Sequence, residues 1–364
     1  MKKKIIHFIF NLGRGGAETM MVRVIKELDE YEHVVVTLFK TNHFGDELKC
    51  DKLICLNLSS LFSLPFAIFK FRKVVRKEKP DIVHTHLFWP TVIARYAVPK
   101  RIPLITTIHA FIAQSVEYKN WHIRFLDKLS YKFRSSVIIV VAKGALEEYF
   151  SFLKLKPYKA YALYTFVDTD RFDATKAKPK EDSSVFRLIS VGALRTQKFH
   201  SYLIDAMHTL KDNPIELHIY GVGNLQKELE QQIETTGSRV ILKGEAKNIE
   251  QILPQYDLYI MSSKFEGFSL SVLEAMAMSM PLLLSDISSF REQCESLADY
   301  FSIENKNDLI EKITTLAAMP KDELAKKGAA LRKRALSNFT LRQHMEGLRK
   351  IYKESQETGV GSSE

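Results

Sequence analysis

Residues 258–281 read LYIMSSKFEGFSLSVLEAMAMSMP, and we interpret the rest of the chain around this segment. The apolar run at 258–261 predicts a buried strand. The helical pattern that follows must stop before Pro281, because the residue before a proline avoids the helical conformation. The segment is therefore a strand, a short glycine-bearing loop and a helix N-terminus. Backbone N–H groups and the positive end of the helix dipole converge at such a loop, which suits a phosphate group.

Two carboxylates bracket the predicted loop. Glu266 lies at its mouth, and we place Glu274 in the first helical turn, where both side chains can accept hydrogen bonds from sugar hydroxyls. The sequence Ser-Val-Leu-Glu at 271–274 also fits a capping box, in which Glu274 would bond only the N–H groups of its own helix. Glu266 equally fits a solvated loop acid. On spacing alone the capping box is the commoner explanation.

A family resemblance changes this balance. The two glutamates, the Gly-Phe-Ser-Leu between them and the Glu-Ala-Met-Ala that follows resemble the signature of GT4-type retaining glycosyltransferases. In that family the first glutamate contacts the donor sugar and the second binds the nucleotide ribose. The resemblance therefore implies a nucleotide-sugar site formed by Glu266, Gly267, Phe268, Ser269, Leu270 and Glu274.

Length and composition limit the alternatives. At 364 residues the chain suits two domains, and its 46% hydrophobic and 26% charged fractions are those of a soluble globular protein. Cys50, Cys55 and Cys294 lack metal-ligand spacing, which predicts reduced thiols in the cytoplasm. No apolar run approaches the roughly 20 residues of a membrane span. The net charge of +10 predicts an anionic partner, either a nucleotide-bearing substrate or an anionic membrane surface, with nucleic acid ranked last.

Short apolar runs alternate with amphipathic ones along most of the chain, a pattern typical of α/β domains with parallel sheets. We predict strands at 5–10, 33–38, 53–58, 82–86, 104–108, 137–141, 187–191, 216–220, 240–242, 258–261 and 281–284. Predicted helices lie at 17–28, 64–77, 91–97, 143–150, 202–210, 225–233, 309–317, 321–337 and 341–354.

The fold that this pattern and the resemblance imply is GT-B, with two doubly wound Rossmann-like domains facing across a cleft. Residues 173–184 are polar and lack periodicity, so we place the linker there. The predicted parts are an acceptor-binding domain at 1–178, a nucleotide-sugar-binding domain at 179–340, a C-terminal helix at 341–355 that packs back on the first domain, and a disordered tail at 356–364.

Two glycine-rich turns follow predicted strands, at 13–16 and at 221–223. Each lacks the third glycine of the dinucleotide fingerprint, which argues against a nicotinamide dehydrogenase. Both turns are compatible with tight strand-to-helix connections. The first resembles the N-terminal loop of GT4 enzymes, which implies that Gly15 and Gly16 line the cleft.

Cations for a diphosphate follow the strand at 187–191. Without a metal ion, the charge of a departing diphosphate must be met by cations and by aimed N–H groups. Gly192, Arg195 and Lys198 match the Gly…Arg…Lys set of the family, so the resemblance assigns all three to the donor, with Arg195 as a fork-like contact and Lys198 as a point charge. Two solvated loop cations are the alternative.

Three histidines lie near the ends of two predicted strands. The Thr-Ile-His at 107–109 resembles the Thr-x-His of the family, whose histidine reaches the donor sugar, so we assign His109 to the site. We expect His84 and His86 to point to opposite faces of their strand and to be structural. Asp168-Thr169-Asp170 is a D-x-D sequence in a segment that resembles a hinge, and we expect no metal site.

The sequence departs from the family at several glycines. Phe199 follows Lys198 where the family has Lys-Gly, and Ser279 occupies a position where glycine is usual. Within the loop, Ser269-Leu270-Ser271 replaces Gly-x-Pro, which we expect to affect the choice of sugar.

We conclude that the sequence predicts a cytoplasmic, metal-independent, retaining glycosyltransferase with no cofactor. Its expected donor is a nucleotide diphosphate sugar, in the first place a UDP-sugar, and its expected acceptor is a glycan or a lipid-linked glycan, with peripheral contact to the inner face of an anionic membrane. Glu266, His109, Arg195 and Lys198 are the expected catalytic residues. A nucleotide-sugar epimerase of the same fold and a non-catalytic nucleotide-sugar-binding protein remain the alternatives.

Overall fold

The computed structural model describes residues 2–58, 63–113 and 117–359. The chain forms two compact units, of which the first contains the chain up to Thr165 and from Arg342 onward, and the second contains Phe166–Leu341. Each unit is built around its own parallel sheet. Among the residues that the structure describes, we find no helix that combines the length and the apolar character required to cross a bilayer.

The first unit alternates strands and helices. Its strands are β1 (Lys3–Ile9), β2 (Tyr31–Thr37), β3 (Lys52–Cys55), β4 (Ile82–His86), β5 (Leu104–Ile108), β6 (Val137–Val140) and β7 (Lys159–Ala162). Its helices are α1 (Gly16–Glu27), α2 (Leu64–Glu78), α3 (Phe88–Ala97), α4 (Trp121–Phe133) and α5 (Lys143–Leu153), and α13 (Leu341–Gly359) returns to this unit at the end of the chain. The strand order is β3-β2-β1-β4-β5-β6-β7.

The centre of this sheet is apolar on both faces, as parallel strands covered by helices require. Along β1, Ile5, Ile6, Phe8 and Ile9 have no exposed surface. The ring of Phe8 stacks on Phe71 of α2 with 4.0 Å between centroids, so α2 covers this part of the sheet. Strand order changes direction between β1 and β4, and ligands of open α/β sheets bind at the carboxyl ends of strands beside such a point.

Helix α13 is bound to the first unit by polar contacts. The Tyr352 hydroxyl lies 2.7 Å from His84 Nδ1, and Arg349 pairs with Glu30 at 2.6 Å. The disorder predicted from residue 356 is wrong for 356–359, because the helix continues to Gly359 and Lys3 Nζ donates to Gln356 Oε1 at 2.7 Å. Residues 360–364 lie outside the described residues.

The second unit repeats the α/β rhythm. Its strands are β8 (Phe186–Val191), β9 (Ile215–Tyr220), β10 (Val240–Gly244), β11 (Leu258–Met261), β12 (Leu282–Ser285) and β13 (Asp299–Phe301). Its helices are α6 (His200–Thr209), α7 (Gln226–Thr236), α8 (Ile249–Ile252), α9 (Leu270–Ala277), α10 (Ser288–Cys294), α11 (Lys306–Ala317) and α12 (Lys321–Asn338). The strand order is β10-β9-β8-β11-β12-β13, with the change of direction between β8 and β11.

The segment predicted as a linker belongs to the second unit. The units divide between Thr165 and Phe166, ahead of the predicted boundary at 178. Asp173 accepts a hydrogen bond from Arg332 of α12 at 2.9 Å, and Lys180 pairs with Asp257. These ion pairs attach residues 173–180 to the second sheet and its helices, which their polar composition did not indicate.

Candidate active site

The side-chain amide of Gln293 holds the loop between β11 and α9 through two hydrogen bonds to Ser269. Gln293 of α10 accepts from the Ser269 N–H at 3.2 Å and donates to the Ser269 carbonyl at 2.9 Å. Ser269 is the N-cap residue of α9, and the first backbone bond of the helix runs from Leu273 N–H to the Ser269 carbonyl at 3.1 Å. The backbone N–H groups of residues 270–272 therefore have no hydrogen-bond acceptor within the helix, and such groups can bind an anion.

Glu274 lies in the second turn of α9, one turn later than predicted. The helix begins at Leu270 and its cap makes no side-chain hydrogen bond, so the capping box considered for residues 271–274 is not formed. Burial raises the pKa of Glu274 to about 7, with Arg171 opposing the rise and Glu250 adding to it. This carboxyl group is thus available to an outside partner instead of capping its own helix.

Glu266 and Lys198 form an ion pair at the start of the same loop. Lys198 Nζ lies 2.7 Å from Glu266 Oε1, and the Ser263 hydroxyl donates to the same oxygen at 2.7 Å. Both side chains are largely buried. The family resemblance implies that Lys198 binds the diphosphate and Glu266 the sugar, and the structure brings these two groups into direct contact.

The loop after β8 supplies the remaining predicted cation. Arg195 is exposed, and within the described residues its guanidinium has no ion-pair partner. A Cβ at Gly192 would stand 3.1 Å from Lys198 Cε, so the glycine makes room for the lysine stem. Gln197 joins this loop to the Glu266 loop, because its amide donates to the Phe265 carbonyl at 2.9 Å.

The glycines at 221 and 223 have a packing role. A Cβ at Gly221 would overlap the Gly192 carbonyl, and one at Gly223 would overlap the Leu194 carbonyl. Gly221 also has a φ of +149°, which side chains rarely adopt. The two glycines of the incomplete dinucleotide fingerprint therefore allow the loops after β8 and β9 to pack closely against each other.

Two departures from the family occur at left-handed backbone positions. Phe199 has φ +53° and Ser279 has φ +59°, a region in which a side chain strains the backbone and glycine does not. The phenylalanine compensates by stacking on Tyr202 at 5.1 Å and by lying under Lys264 Nζ at 3.9 Å. Glycine at either position would relieve the strain.

The Phe268 side chain, predicted at the donor site, packs inside the second unit, and Tyr259 is an additional residue near the two carboxylates. The Phe268 ring packs edge-on against Phe339 at 5.1 Å, so any contribution of Phe268 to a donor site falls to its backbone. Tyr259 of β11, which sequence analysis did not select, is buried near both carboxylates. Burial raises the pKa of its hydroxyl, and Glu274 and Glu266 add to that rise.

In the first unit, Gly15 and Gly16 form the beginning of α1. Gly15 is the N-cap residue, and both glycines are exposed. A Cβ at Gly15 would meet the Glu18 carboxylate, the flexible end of a side chain that can move aside. The predicted glycine loop thus presents bare backbone at a helix N-terminus.

His109 follows β5 and is half-buried beside a cavity of about 100 Å³ whose walls include Phe88, Ile112 and Tyr118. Its Nε2 lies 3.2 Å from His86 Nδ1. Burial lowers the pKa of His109 to about 3, so the ring is neutral at pH 7 and acts through hydrogen bonds.

The expectation that His84 and His86 point to opposite faces is wrong. Residues two apart on a strand share a face, and the two rings lie 4.4 Å apart. With His7 they place three ring nitrogens within 4.8 Å of one another. Both nitrogens of His84 are already bonded, to Tyr352 and Thr107, so the rings fit a hydrogen-bonded group better than a metal.

Asp168 of the D-x-D sequence stabilises a turn. Its Oδ1 accepts from the backbone N–H groups of Asp170 and Arg171, each at 3.3 Å. Among the described residues, His7, His84 and His86 form a cluster of possible metal ligands, and neither Asp168 nor Asp170 belongs to such a cluster.

Comparisons with known proteins agree on the family. A model described as Glycosyltransferase Family 4 matches residues 14–171, and one described as Glycosyl transferases group 1 matches residues 171–335. An N-acetylgalactosamine-N,N'-diacetylbacillosaminyl-diphospho-undecaprenol 4-alpha-N-acetylgalactosaminyltransferase of Campylobacter jejuni is 26% identical over 331 residues, which cover 86% of this chain and 90% of the relative. A UDP-Gal:alpha-D-GlcNAc-diphosphoundecaprenol alpha-1,3-galactosyltransferase of Escherichia coli is 25% identical over 320 residues, or 82% and 81% of the two chains.

Solved structures agree on the architecture. A glycosyltransferase from Rickettsia africae superposes with a TM-score of 0.82 at 19% identity over 100% of both chains. The Anabaena protein Alr3699/HepE in complex with UDP superposes with a TM-score of 0.81 at 18% identity, over 96% of this chain and 100% of that one. The predicted GT-B fold is confirmed. The two family models together span residues 14–335, and the chain therefore belongs to glycosyltransferase family 4 and is a glycosyltransferase of the EC 2.4 class.

Proposed function

We propose that this protein transfers a sugar from a nucleotide diphosphate sugar to a glycan or lipid-linked acceptor, with retention of configuration and without a metal ion. A UDP-sugar is the donor that we favour. The observation that carries the proposal is the Lys198–Glu266 ion pair beside the loop that Gln293 holds, with Glu274 on the helix that follows this loop and Arg195 three residues before Lys198.

The donor roles follow from the chemistry of each group. Glu274 accepts hydrogen bonds from the ribose hydroxyls. The diphosphate is bound by Arg195, by Lys198 and by the N–H groups that begin α9. Glu266 accepts from the sugar hydroxyls, and because Lys198 pairs with Glu266 at 2.7 Å, a bound diphosphate competes with Glu266 for the same ammonium group.

The reaction breaks the bond between the anomeric carbon and the diphosphate oxygen and forms a bond from that carbon to the acceptor oxygen. The acceptor proton passes to the departing diphosphate, which leaves as the nucleotide diphosphate. No side chain is assigned as a nucleophile. Arg195 and Lys198 stabilise the charge that develops on the leaving group. In the first unit, His109 bonds the sugar as a neutral imidazole, and the backbone at Gly15 and Gly16 borders the substrates.

The acceptor class is proposed from the relatives and from one helix. Both relatives described above are named for diphosphoundecaprenol-linked substrates. In the present chain, α4 exposes a row of large apolar side chains at four-residue spacing: Trp121 (69% exposed), Phe125 (56%), Leu129 (45%) and Phe133 (59%). The cations Arg124, Lys128 and Lys132 lie in the neighbouring row. An apolar row flanked by cations fits the interface of an anionic bilayer.

Helix α2 adds a second exposed surface. Phe66 and Phe69 are exposed one turn apart on this helix. Lys70, Lys73 and Lys77 line a groove between α2 and β3. Since α3 packs against both α2 and α4, the two surfaces flank the same helix. We propose that they place the protein on the cytoplasmic leaflet, where each cation contributes about 1 kcal/mol.

Liposome flotation tests the membrane contact. We expect the protein to float with anionic vesicles at low salt and to be released by high salt. A Lys70, Lys73 and Lys77→Glu triple variant should lose this binding while its nucleotide affinity stays unchanged. The matched control carries the same charge change at exposed lysines of the second unit, Lys211, Lys227 and Lys333, and should still float. Wild-type protein that stays with the soluble fraction at low salt would contradict the proposal.

A nucleotide panel followed by a transfer assay tests the activity. Ligand at a hundred times Kd stabilises by about 2.7 kcal/mol, which raises Tm by roughly 2–4 °C for each kcal/mol. We expect a UDP form to give the largest shift, and no shift with UDP, GDP or ADP forms would contradict the proposal. Consumption of the donor should then depend on a diphosphoundecaprenol-linked sugar. Conversion of the donor sugar without any acceptor would instead indicate an epimerase, and binding without turnover a binding protein.

A further inference from the structure

A row of imidazoles crosses the first sheet. His33 lies on β2, His7 on β1, and His84 and His86 on β4, while His109 follows β5. His7, His33, His84 and His86 are almost fully buried, so their nitrogens depend on one another and on nearby groups for hydrogen bonds. His84 is saturated, because its two nitrogens each lie 2.7 Å from a hydroxyl group.

The protonation of the first two rings follows from one carbonyl group. His33 Nε2 lies 2.8 Å from the Leu28 carbonyl, which only accepts, so Nε2 carries the proton. His33 Nδ1 is then an acceptor, and His7 Nε2 donates to it at 3.1 Å. His7 Nδ1 must therefore be an unprotonated acceptor, and it has no partner among the described protein atoms.

The other end of the row is His109. His86 Nδ1 bonds His109 Nε2 at 3.2 Å, and His86 Nε2 is buried without a protein partner, like His7 Nδ1. A cavity of about 10 Å³ borders His7, His84 and His86, and most of its remaining wall is apolar. That volume suits one water molecule, which would bond both unpartnered nitrogens.

We propose that His86 is a positioning residue for His109. Its Nδ1 holds the His109 ring through Nε2, so that one tautomer is populated and Nδ1 of His109 is left for the donor sugar. The water and His7 hold the Nε2 side of the His86 ring. The Leu28 carbonyl, acting through His33, determines which nitrogen of His7 carries the proton. This inference rests on the sugar-contacting role proposed above for His109.

Three substitutions at His86 separate positioning from packing. An asparagine amide lies where Nδ1 of histidine lies, so His86→Asn can keep the bond to His109. A glutamine amide corresponds to Nε2 and faces the small cavity, and leucine makes neither bond. Loss of one hydrogen bond contributes a factor of about two to ten in rate. We expect kcat to fall by that factor in His86→Gln and His86→Leu with donor KM unchanged, and to stay within about twofold in His86→Asn.

The direct measurement is the nitrogen spectrum of His109. Long-range ¹H–¹⁵N spectra of histidine-labelled protein report the tautomer of each ring, and His109→Asn identifies the His109 signals. Wild type and His86→Asn should show one tautomer at His109, His86→Leu a mixture, and His7→Leu a smaller loss of preference. A mixture in the wild type would overturn the inference even if no His86 variant folds, and so would unchanged spectra and kcat in His86→Leu. A single tautomer in a wild type that transfers no sugar would contradict the proposed function and leave the positioning intact.

Discussion

Glu274→Gln is expected to make the protein more stable while weakening its binding of the donor nucleotide. The usual pKa of this carboxyl group is 4.5, and burial raises it to about 7 in the folded chain. The unfolded chain therefore loses the proton first, so stability falls as pH rises from 4.5 to 7 and stays low above that. At about 1.36 kcal/mol for each pH unit between 4.5 and 7, the ionised group costs about 3 kcal/mol at pH 8.

Glutamine has the shape of the side chain but no proton to lose. The variant should therefore unfold with a free energy up to about 3 kcal/mol larger at pH 8, and with little difference near pH 4. Its nucleotide affinity should fall about ten- to a hundredfold, because a hydrogen bond to a charged group contributes roughly 1.5–3 kcal/mol. Wild-type affinity should also rise about tenfold between pH 6 and pH 8, as the ionised fraction rises.

Urea unfolding and calorimetry with UDP measure the two effects. The variant is the control for the pH dependence of the wild type, because the nucleotide phosphates titrate in the same way with both proteins. Equal UDP affinity in wild type and variant would refute the assignment of Glu274 to the ribose. A variant less stable than wild type at pH 8 would refute the cost that we assign to burial.

Three further outcomes are expected. Glu266→Gln should slow transfer at least about tenfold with UDP affinity unchanged in calorimetry, and equal initial rates would contradict its role at the sugar. The rate of transfer should be unchanged by EDTA. A loss of activity that Mg²⁺ or Mn²⁺ restores would contradict the expectation that Asp168 and Asp170 bind no metal ion. Ser279→Gly should stabilise by about 1 kcal/mol because φ is +59° there, whereas the control Ser279→Ala should not, and equal melting temperatures of the two variants would contradict the strain.

The apolar runs were reliable predictors of the central strands. The run at 104–108 matches β5 residue for residue, and that at 258–261 matches β11. The strands that were missed, β7 and β13, are four and three residues long and lie at sheet edges, where no continuous apolar run is needed. Helix α4 was not predicted, although its exposed apolar side chains recur at the four-residue spacing of one helix face.

The site could be predicted where its residues are close in sequence. Glu266, Ser269 and Glu274 lie within one strand–loop–helix segment, so their proximity follows from local structure. Gln293 and Gln197 could not be found in this way, because they reach the loop across 24 and 68 residues and amides give no periodic signal. The glycines absent at Phe199 and Ser279 were a usable signal, since both positions have a left-handed backbone.

The exposed row on α4 also gives the protein an optical reporter. The chain contains two tryptophans, of which Trp121 begins α4 with 69% of its surface in water and Trp89 is partly buried in α3. Indole emission moves to shorter wavelength when water around the ring is replaced by hydrocarbon. Native fluorescence can therefore follow docking on vesicles without a label, and a Trp121→Phe variant retains the aromatic surface while removing the signal.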